Sequence, residues 1–326
     1  MAKNNIFNIE TYKKVNKNNK ELLEDYILEL KSKKKSQGTI KQYESDIKMF
    51  FCWSYDNLDN KYILSLKKRQ FRNFFLYLQD ERGLSTARIN RIQCSLRNLL
   101  EFASQDEDEY DYDQNIMSKI KGLTKESVRP IVFLSDEQIF KIRDFLVDNK
   151  EYQKVAYLML AYDSAARRNE LRQVLKTDLL INNKTNTVVG KRNKKFSLLL
   201  FEESKKAIYN WLEYRGEDDI ESLFIAGTNG NNRREASYEL LHSWAKNFAD
   251  IISEIEGQRI ELNSHSIRHS ALENMSNGTH YVLRQRNKNA LDLNTLRVYA
   301  NHSDVSTTQG YLKNRDSELL ENAFDL

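Results

Sequence analysis

Pro130 is the only proline in 326 residues, and glycine occurs just ten times. Sandwiches, barrels and collagen-like repeats need many more turn residues than that. Helices are best served by such scarcity, because an internal proline removes a hydrogen bond and clashes with the preceding turn. A mainly helical protein is therefore expected. Hydrophobic residues make up 40% of the chain, enough for a buried core and too many for wholesale disorder. Cys52 and Cys94 are the only cysteines, too few for a disulfide framework or a Cys-rich zinc site. They point to a reducing compartment, the cytoplasm. The longest apolar run, Val155 to Tyr162, is far shorter than the ~20 residues that span a bilayer. Residues 1–20 are Lys/Asn-rich and lack the apolar stretch of a signal peptide, so no membrane partner is expected.

Hydrophobic spacing divides the chain. Residues 1–18 read as a flexible polar arm. Helical periods then follow: Leu22, Leu23, Tyr26, Ile27 and Leu30; Ile40, Tyr43, Ile47, Phe50 and Phe51; Phe71, Phe74, Phe75 and Leu78; and Ile89, Ile92, Leu96, Leu99 and Leu100 behind a Ser85 N-cap. Four helices over 19–105 make a small bundle. The acidic run Asp106 to Asp113 and the polar stretch to Pro130 read as a linker, 106–130. A second, mostly helical domain over 131–326 opens at Ser135, where Gln138 stands in the capping-box position. It contains two short strands, around Thr187–Gly190 and Phe196–Phe201, joined by a Gly-Lys-Arg-Asn-Lys-Lys turn.

Charge is uneven. Residues 1–105 hold 20 Lys/Arg against 12 Asp/Glu, while the remainder holds 31 against 35, six of those acids lying in the 106–113 run. A basic first third suits a polyanion. Within it Arg88, Arg91 and Ser95 fall on one helical face, as do Lys41 and Lys48 on another, and both faces are candidates for DNA phosphate contacts.

The chain lacks a P-loop, an H-E-x-x-H pair, an EF-hand loop, a G-x-S-x-G elbow and a compact carboxylate set for two-metal catalysis. No metal or cofactor is expected. What remains is scattered: Arg167 in Ser164-Ala-Ala-Arg-Arg-Asn-Glu-Leu171, Lys191 in the hairpin turn, His265 and Arg268 in His-Ser-Ile-Arg-His, and His302 and Tyr311 in Ala300-Asn-His-Ser-Asp-Val-Ser-Thr-Thr-Gln-Gly-Tyr311. Each alone reads as a surface pair, a solvated lysine or an ordinary aromatic.

In this order, and with this local context, they resemble the tyrosine recombinase, or phage integrase, family. Glu170 and Leu171 follow Arg167 as in its R-x-x-E-L pattern. Ser306-Thr-Thr-Gln resembles the stretch before the family's tyrosine. Ser36 to Tyr43 and Gly83 to Arg88 match patterns of its N-terminal part. The resemblance covers about 20–326. It implies an N-terminal helical, SAM-like core-binding domain, a recombinase-type catalytic domain, and double-stranded DNA as partner, at an inverted repeat or other specific site. It implies roles too. Arg167 and Arg268 would clamp the phosphate and stabilise its pentacoordinate transition state. Tyr311 would attack phosphorus and form a 3′-phosphotyrosine. Lys191 would protonate the departing 5′ oxygen, His265 would accept the tyrosine proton, and His302 would hold a phosphate oxygen or the transition state. A short apolar-periodic tail, Glu318 to Phe324, would mediate self-association on DNA.

Three departures from the family pattern stand out. Ser164-Ala165-Ala166 replaces a Thr-Gly-Leu-like run, with charged Arg168 where an apolar residue is usual. Ala300-Asn301-His302 replaces Leu-Gly-His. Thr279 to Asn294 is extra polar material. They leave two readings of a bacterial or phage-encoded protein. One is a metal-independent, site-specific recombinase of the integration and excision type, which the six retained groups favour. The alternative is a catalytically silent, recombinase-like repressor or regulator of a phage or mobile element.

Overall fold

The computed structural model describes residues 6–106, 108–124, 131–177, 179, 183–227 and 232–312. The chain divides into two compact units, Met1–Pro130 and Ile131–Leu326. Both are mostly helical, and among the described residues the small antiparallel strand pairs lie in the second. Among the described residues no helix is long and apolar enough to cross a membrane.

The first unit begins earlier than its composition suggests. Helix α1 (Ile9–Lys14) is capped by Asn8, whose side chain accepts from the Glu10 and Thr11 amides. Val15 is buried behind it. Asn60 ties the segment down, donating to the Lys14 carbonyl and accepting from the Asn16 amide. Residues 6–18 are therefore docked structure and not a flexible arm. The asparagines that read as disorder act as caps and clips. Helices α2 (Lys17–Ser32), α3 (Gln37–Asn57), α4 (Lys68–Leu76) and α5 (Thr86–Gln105) follow. Ser36 and Ser85 cap α3 and α5. Their apolar stripes meet in one core, where Phe50 packs 5.2 Å from Phe71 and 5.0 Å from Phe74.

The acidic segment is not a free linker over its described part. Tyr110, Met117 and Ile120 are buried in the same core. Arg97 donates to the carbonyls of Met117 and Ile120, Asn115 donates to the Arg97 carbonyl, and the Tyr110 hydroxyl donates to Asp25. Glu107 and residues 125–130 lie outside the described residues.

The basic face of α5 also turns out differently. Arg88 and Arg91 approach Asp46 of α3 at 2.7 and 3.5 Å, and Ser95 donates to the same carboxylate at 2.9 Å. Asp46 and Ser95 are fully buried, so Ser95 is not a DNA contact and the two arginines face an internal charge. Burial outweighs these partners and raises the Asp46 carboxyl above its ordinary range, with Arg88 the chief opposing influence. A buried carboxylate so poorly solvated depends on its cation. Lys48 pairs with Glu44 at 2.5 Å and lies over the Tyr12 ring, while Lys41 is exposed.

In the second unit, Ser135 and Gln138 form the capping box of α6 (Asp136–Asp148). Helix α7 (Tyr152–Ser164) carries the uninterrupted apolar run, and every residue from Val155 to Ser164 is buried. A helix apolar on all sides must be wrapped by others. Around it lie α8 (Arg168–Leu171), the hairpin of β1 (Lys184–Val189) and β2 (Lys195–Leu199), and α9 (Glu202–Arg215). Thr187 pairs with Ser197 across the hairpin. A two-residue pair, β3 (Ile225–Ala226) and β4 (Arg234–Glu235), precedes α10 (Tyr238–Glu256), α11 (Ser266–Ser276), α12 (Tyr281–Gln285), α13 (Leu293–Tyr299) and α14 (Val305–Gln309).

The Asp46 cluster yields a test. Arg88→Ala leaves the buried carboxylate with the more distant Arg91 as its nearest cation beside the neutral donors Ser95 and Gln42, and should destabilise the protein by about 2 kcal/mol, below the ~3–5 of a pair broken completely. Lys41→Ala should stay within about 0.5 kcal/mol. Urea unfolding compares the two.

Candidate active site

The site forms where α7 ends. Its C-cap, Ala165, is left-handed (φ 47°), and that turn delivers the Ala165 carbonyl to Arg268 on α11, whose Nη1 donates to it. Arg268 Nη2 donates to the Ala300 carbonyl at 2.7 Å and meets His302 Nε2 at 2.6 Å. An arginine can only donate, so His302 Nε2 is the acceptor and its proton sits on Nδ1, which faces the Thr308 hydroxyl of α14 at 3.0 Å. Arg268 and His302 are each 2% exposed. Burial, then Arg268, Arg167 and Lys194, push His302 down to about 3. It is a neutral imidazole at physiological pH.

Asn301, the residue that aims His302, is also left-handed (φ 55°). Two of the departures from the family pattern therefore occupy left-handed backbone in place of glycine. Asparagine tolerates this region, and alanine is held there at a cost of about 1–2 kcal/mol.

Arg167 caps α8. Its amide donates to Glu170 at 2.7 Å and its guanidinium pairs with the same carboxylate at 3.0 Å, with Glu170 2% exposed. Tyr311 stacks on His269, ring centroids 4.3 Å apart, and lies 5.0 Å from the His302 ring. The Arg268 guanidinium carbon is 5.1 Å from the Tyr311 ring. His269 Nδ1 sits 3.1 Å from the Tyr311 carbonyl, which fixes the residue's backbone. Lys191 is exposed in the hairpin turn and lines one cleft of about 270 Å³ with Arg167, Lys194 and His302. His265, just before α11, is exposed, and desolvation followed by His269, Arg268 and Arg167 lowers its pKa.

Arg167, Arg268, His302 and Tyr311 thus converge, with Lys191 on the rim and His265 in the same field. Sequence reasoning left Glu170, Thr308 and His269 without a role, although all three stand inside the motifs it used. Their signal was position within a motif. The extra segment also has a structural place: the Tyr281 hydroxyl donates to buried Asp163 at 2.7 Å and the Tyr281 amide to Asp136 at 3.1 Å. Asp163, pushed up to about 7 by burial, underlies the turn that presents Ala165.

Chemically, the site is a set of cations around a phenol, with Arg268 Nε buried and unpartnered among the described residues. It suits a tetrahedral or pentacoordinate oxyanion. Two outcomes follow. Ala165→Gly should stabilise the protein by at most about 1 kcal/mol, the strain relieved less glycine's entropy, while branched Ala165→Val should cost about 3 kcal/mol; urea unfolding checks both. In histidine-selective NMR, His302 should keep the Nδ1–H tautomer without titrating between pH 5 and 8, and His265 should titrate below the ordinary value of about 6.5.

The profile described as "Phage integrase family" matches residues 132–318, and "Phage integrase, N-terminal SAM-like domain" matches residues 22–107. The SPbeta prophage-derived recombinase-like protein YomM of Bacillus subtilis is 28% identical, over 87% of this chain and 84% of its own. Tyrosine recombinase XerC of Caldanaerobacter subterraneus is 25% identical over 89% and 81%. Among solved structures, the Tn1549 transposon integrase in complex with transposon right end DNA superposes with a TM-score of 0.68 at 16% identity, covering 94% of this chain and 99% of that one. A lambda integrase dimer bound to a COC′ core site gives 0.65 at 15%, covering 91% and 95%. With the family profile spanning more than half of its length, the chain belongs to the phage integrase family.

Proposed function

We propose that the chain is a tyrosine-type, site-specific DNA recombinase that cuts and rejoins strands through a 3′-phosphotyrosine. The observation that carries this reading is the position of Tyr311, stacked on His269 and within 5.1 Å of the buried Arg268 guanidinium. A phosphodiester entering the cleft meets Arg167 from one wall, and Arg268 Nε supplies a donor from below. Both act on non-bridging oxygens whose charge grows in the transition state, where fixed donors count most.

Tyr311 Oη then forms a bond to phosphorus as the bond to the 5′ oxygen breaks. The tyrosine proton passes to His265, whose lowered pKa keeps it neutral and receptive. Lys191 gives a proton to the leaving 5′ oxygen. Attack by a 5′ hydroxyl reverses the step and conserves the bond energy, so no nucleotide triphosphate is consumed. His302 acts through Arg268: with Nε2 accepting from Arg268 and Nδ1 facing Thr308, it sets the guanidinium's orientation. The silent-regulator reading is less favoured, because relatives matched over most of the chain are named tyrosine recombinases.

Double-stranded DNA is the partner, and an inverted repeat or other specific site is the target we infer. The lambda integrase neighbours include a dimer on a core site and a tetramer on a Holliday junction, which supports self-association on DNA. The tail proposed for that contact, Glu318 to Phe324, lies outside the described residues. In the first unit, exposed Lys41 is the phosphate contact retained from the sequence reading.

On nicked duplexes carrying the DNA that flanks the gene, Tyr311→Phe should bind as the wild type does and give no covalent adduct on denaturing gels. Arg167→Ala should lose the adduct and bind more weakly. Adduct formation by Tyr311→Phe, or tight binding by the wild type with no adduct, contradicts the proposal.

A further inference from the structure

Arg168 stands beside the catalytic arginine where the family pattern has an apolar residue, and its surroundings are unusual. Its guanidinium lies flat on the Tyr238 ring at the start of α10, 3.5 Å from the centroid. Nε and Nη1 are covered in the free protein and find no acceptor among the described residues, although the side chain as a whole is only half-buried, beside exposed Tyr238. The same holds for Arg172 Nε, and His242 Nδ1, one turn along α10 from Tyr238, has no partner of either kind among the described residues. Leaving one such donor buried without a partner costs about 1–3 kcal/mol, more when it is charged. Several in one place mean that an acceptor is missing among the described residues.

The cluster borders the active site. Arg167 and Arg168 both depress His265, and Arg168 depresses His242 as well. Glu239, the carboxylate that feels Arg168 and Arg172, is exposed, so water competes for it. What is lacking is an anion, held by a planar fork pre-oriented on an aromatic face.

Resting on the recombinase reading above, we propose that Arg168, stacked on Tyr238 and joined by His242, holds the non-scissile DNA phosphate next to the one that Arg167 engages. Nothing in this needs the base sequence. The contact fixes the register of the strand, so that the neighbouring phosphodiester sits under Tyr311. Arg168 is thus a positioning residue.

The test is fluorescence anisotropy of the full-length protein on two labelled short duplexes of unrelated sequence, over a KCl series. Arg168→Leu should weaken both duplexes alike, and the slope of log K against log[KCl] should fall by about one, the mark of one lost phosphate contact. Arg168→Lys should restore the slope and only part of the affinity. Arg168→Gln, in case the leucine variant fails to fold, should repeat the slope loss with an unchanged melting temperature. An unaltered slope in the neutral variants would overturn the assignment and leave Arg168 as packing for Tyr238. A loss confined to one duplex would overturn it in favour of base reading. A wild-type protein that binds neither these duplexes nor the DNA flanking its gene would instead remove the recombinase reading, a result separable from either of the others.

Discussion

The buried guanidinium of Arg268 organises the second unit. It is among the largest fully buried side chains, and no carboxylate bonds to it among the described residues. Its bonds go to two carbonyls and a neutral imidazole, from the end of α7, the end of α13 and the loop before α14. One side chain thereby pins three segments that are far apart in sequence. Burying a charge this way is expensive unless every donor is used. Burial and nearby Arg167 both weaken its hold on its proton, with only Tyr311 and Glu170 pulling the other way. The cleft is therefore charged in advance, and on the proposed reading an incoming phosphate would supply the neutralisation that the fold withholds.

The turns that make this possible explain the departures from the family pattern. Ala165 and Asn301 each hold a left-handed conformation, and each sits next to an atom that touches Arg268. The carbonyl of Ala165 and the imidazole of His302 would both swing away if these turns relaxed. The geometry survives the loss of glycine because neighbouring contacts over-determine it: the Tyr299 hydroxyl donates to the Asp163 carbonyl at 2.5 Å, and Tyr281 and Ser204 hold the Asp163 side chain.

Much of the fold is legible in the sequence because its signals are local. The aromatic spacing of α3 and α4, and the capping serines Ser36, Ser85 and Ser135, act within a few residues of where they are read. What was misread depends on distant partners. Six residues of α1 are too few to show a period, and Asn60, forty-six positions away from Lys14, is what docks them. Tyr110, Met117 and Ile120 are single apolar residues in a polar text, visible as core only once α5 stands beside them. The face of Arg88, Arg91 and Ser95 looked like a DNA contact because Asp46, on another helix, carries no mark of being its partner. In the active site the order of six residues pointed to one place, and Arg167, Arg268, His302 and Tyr311 do converge there. Glu170 and Thr308 could not be weighed from sequence, since their roles are hydrogen bonds to residues already singled out.

The central claim is that Tyr311 is a nucleophile toward phosphorus. The most direct measurement is peptide mass spectrometry after the wild-type protein has reacted with a nicked duplex and the DNA has been digested. Trypsin releases Val298 to Lys313, which holds both Tyr299 and Tyr311. The account predicts a nucleotide 3′-phosphate on this peptide, located by fragmentation at Tyr311. Strand cleavage with no nucleotide on the peptide, or with the nucleotide on Tyr299, would contradict it.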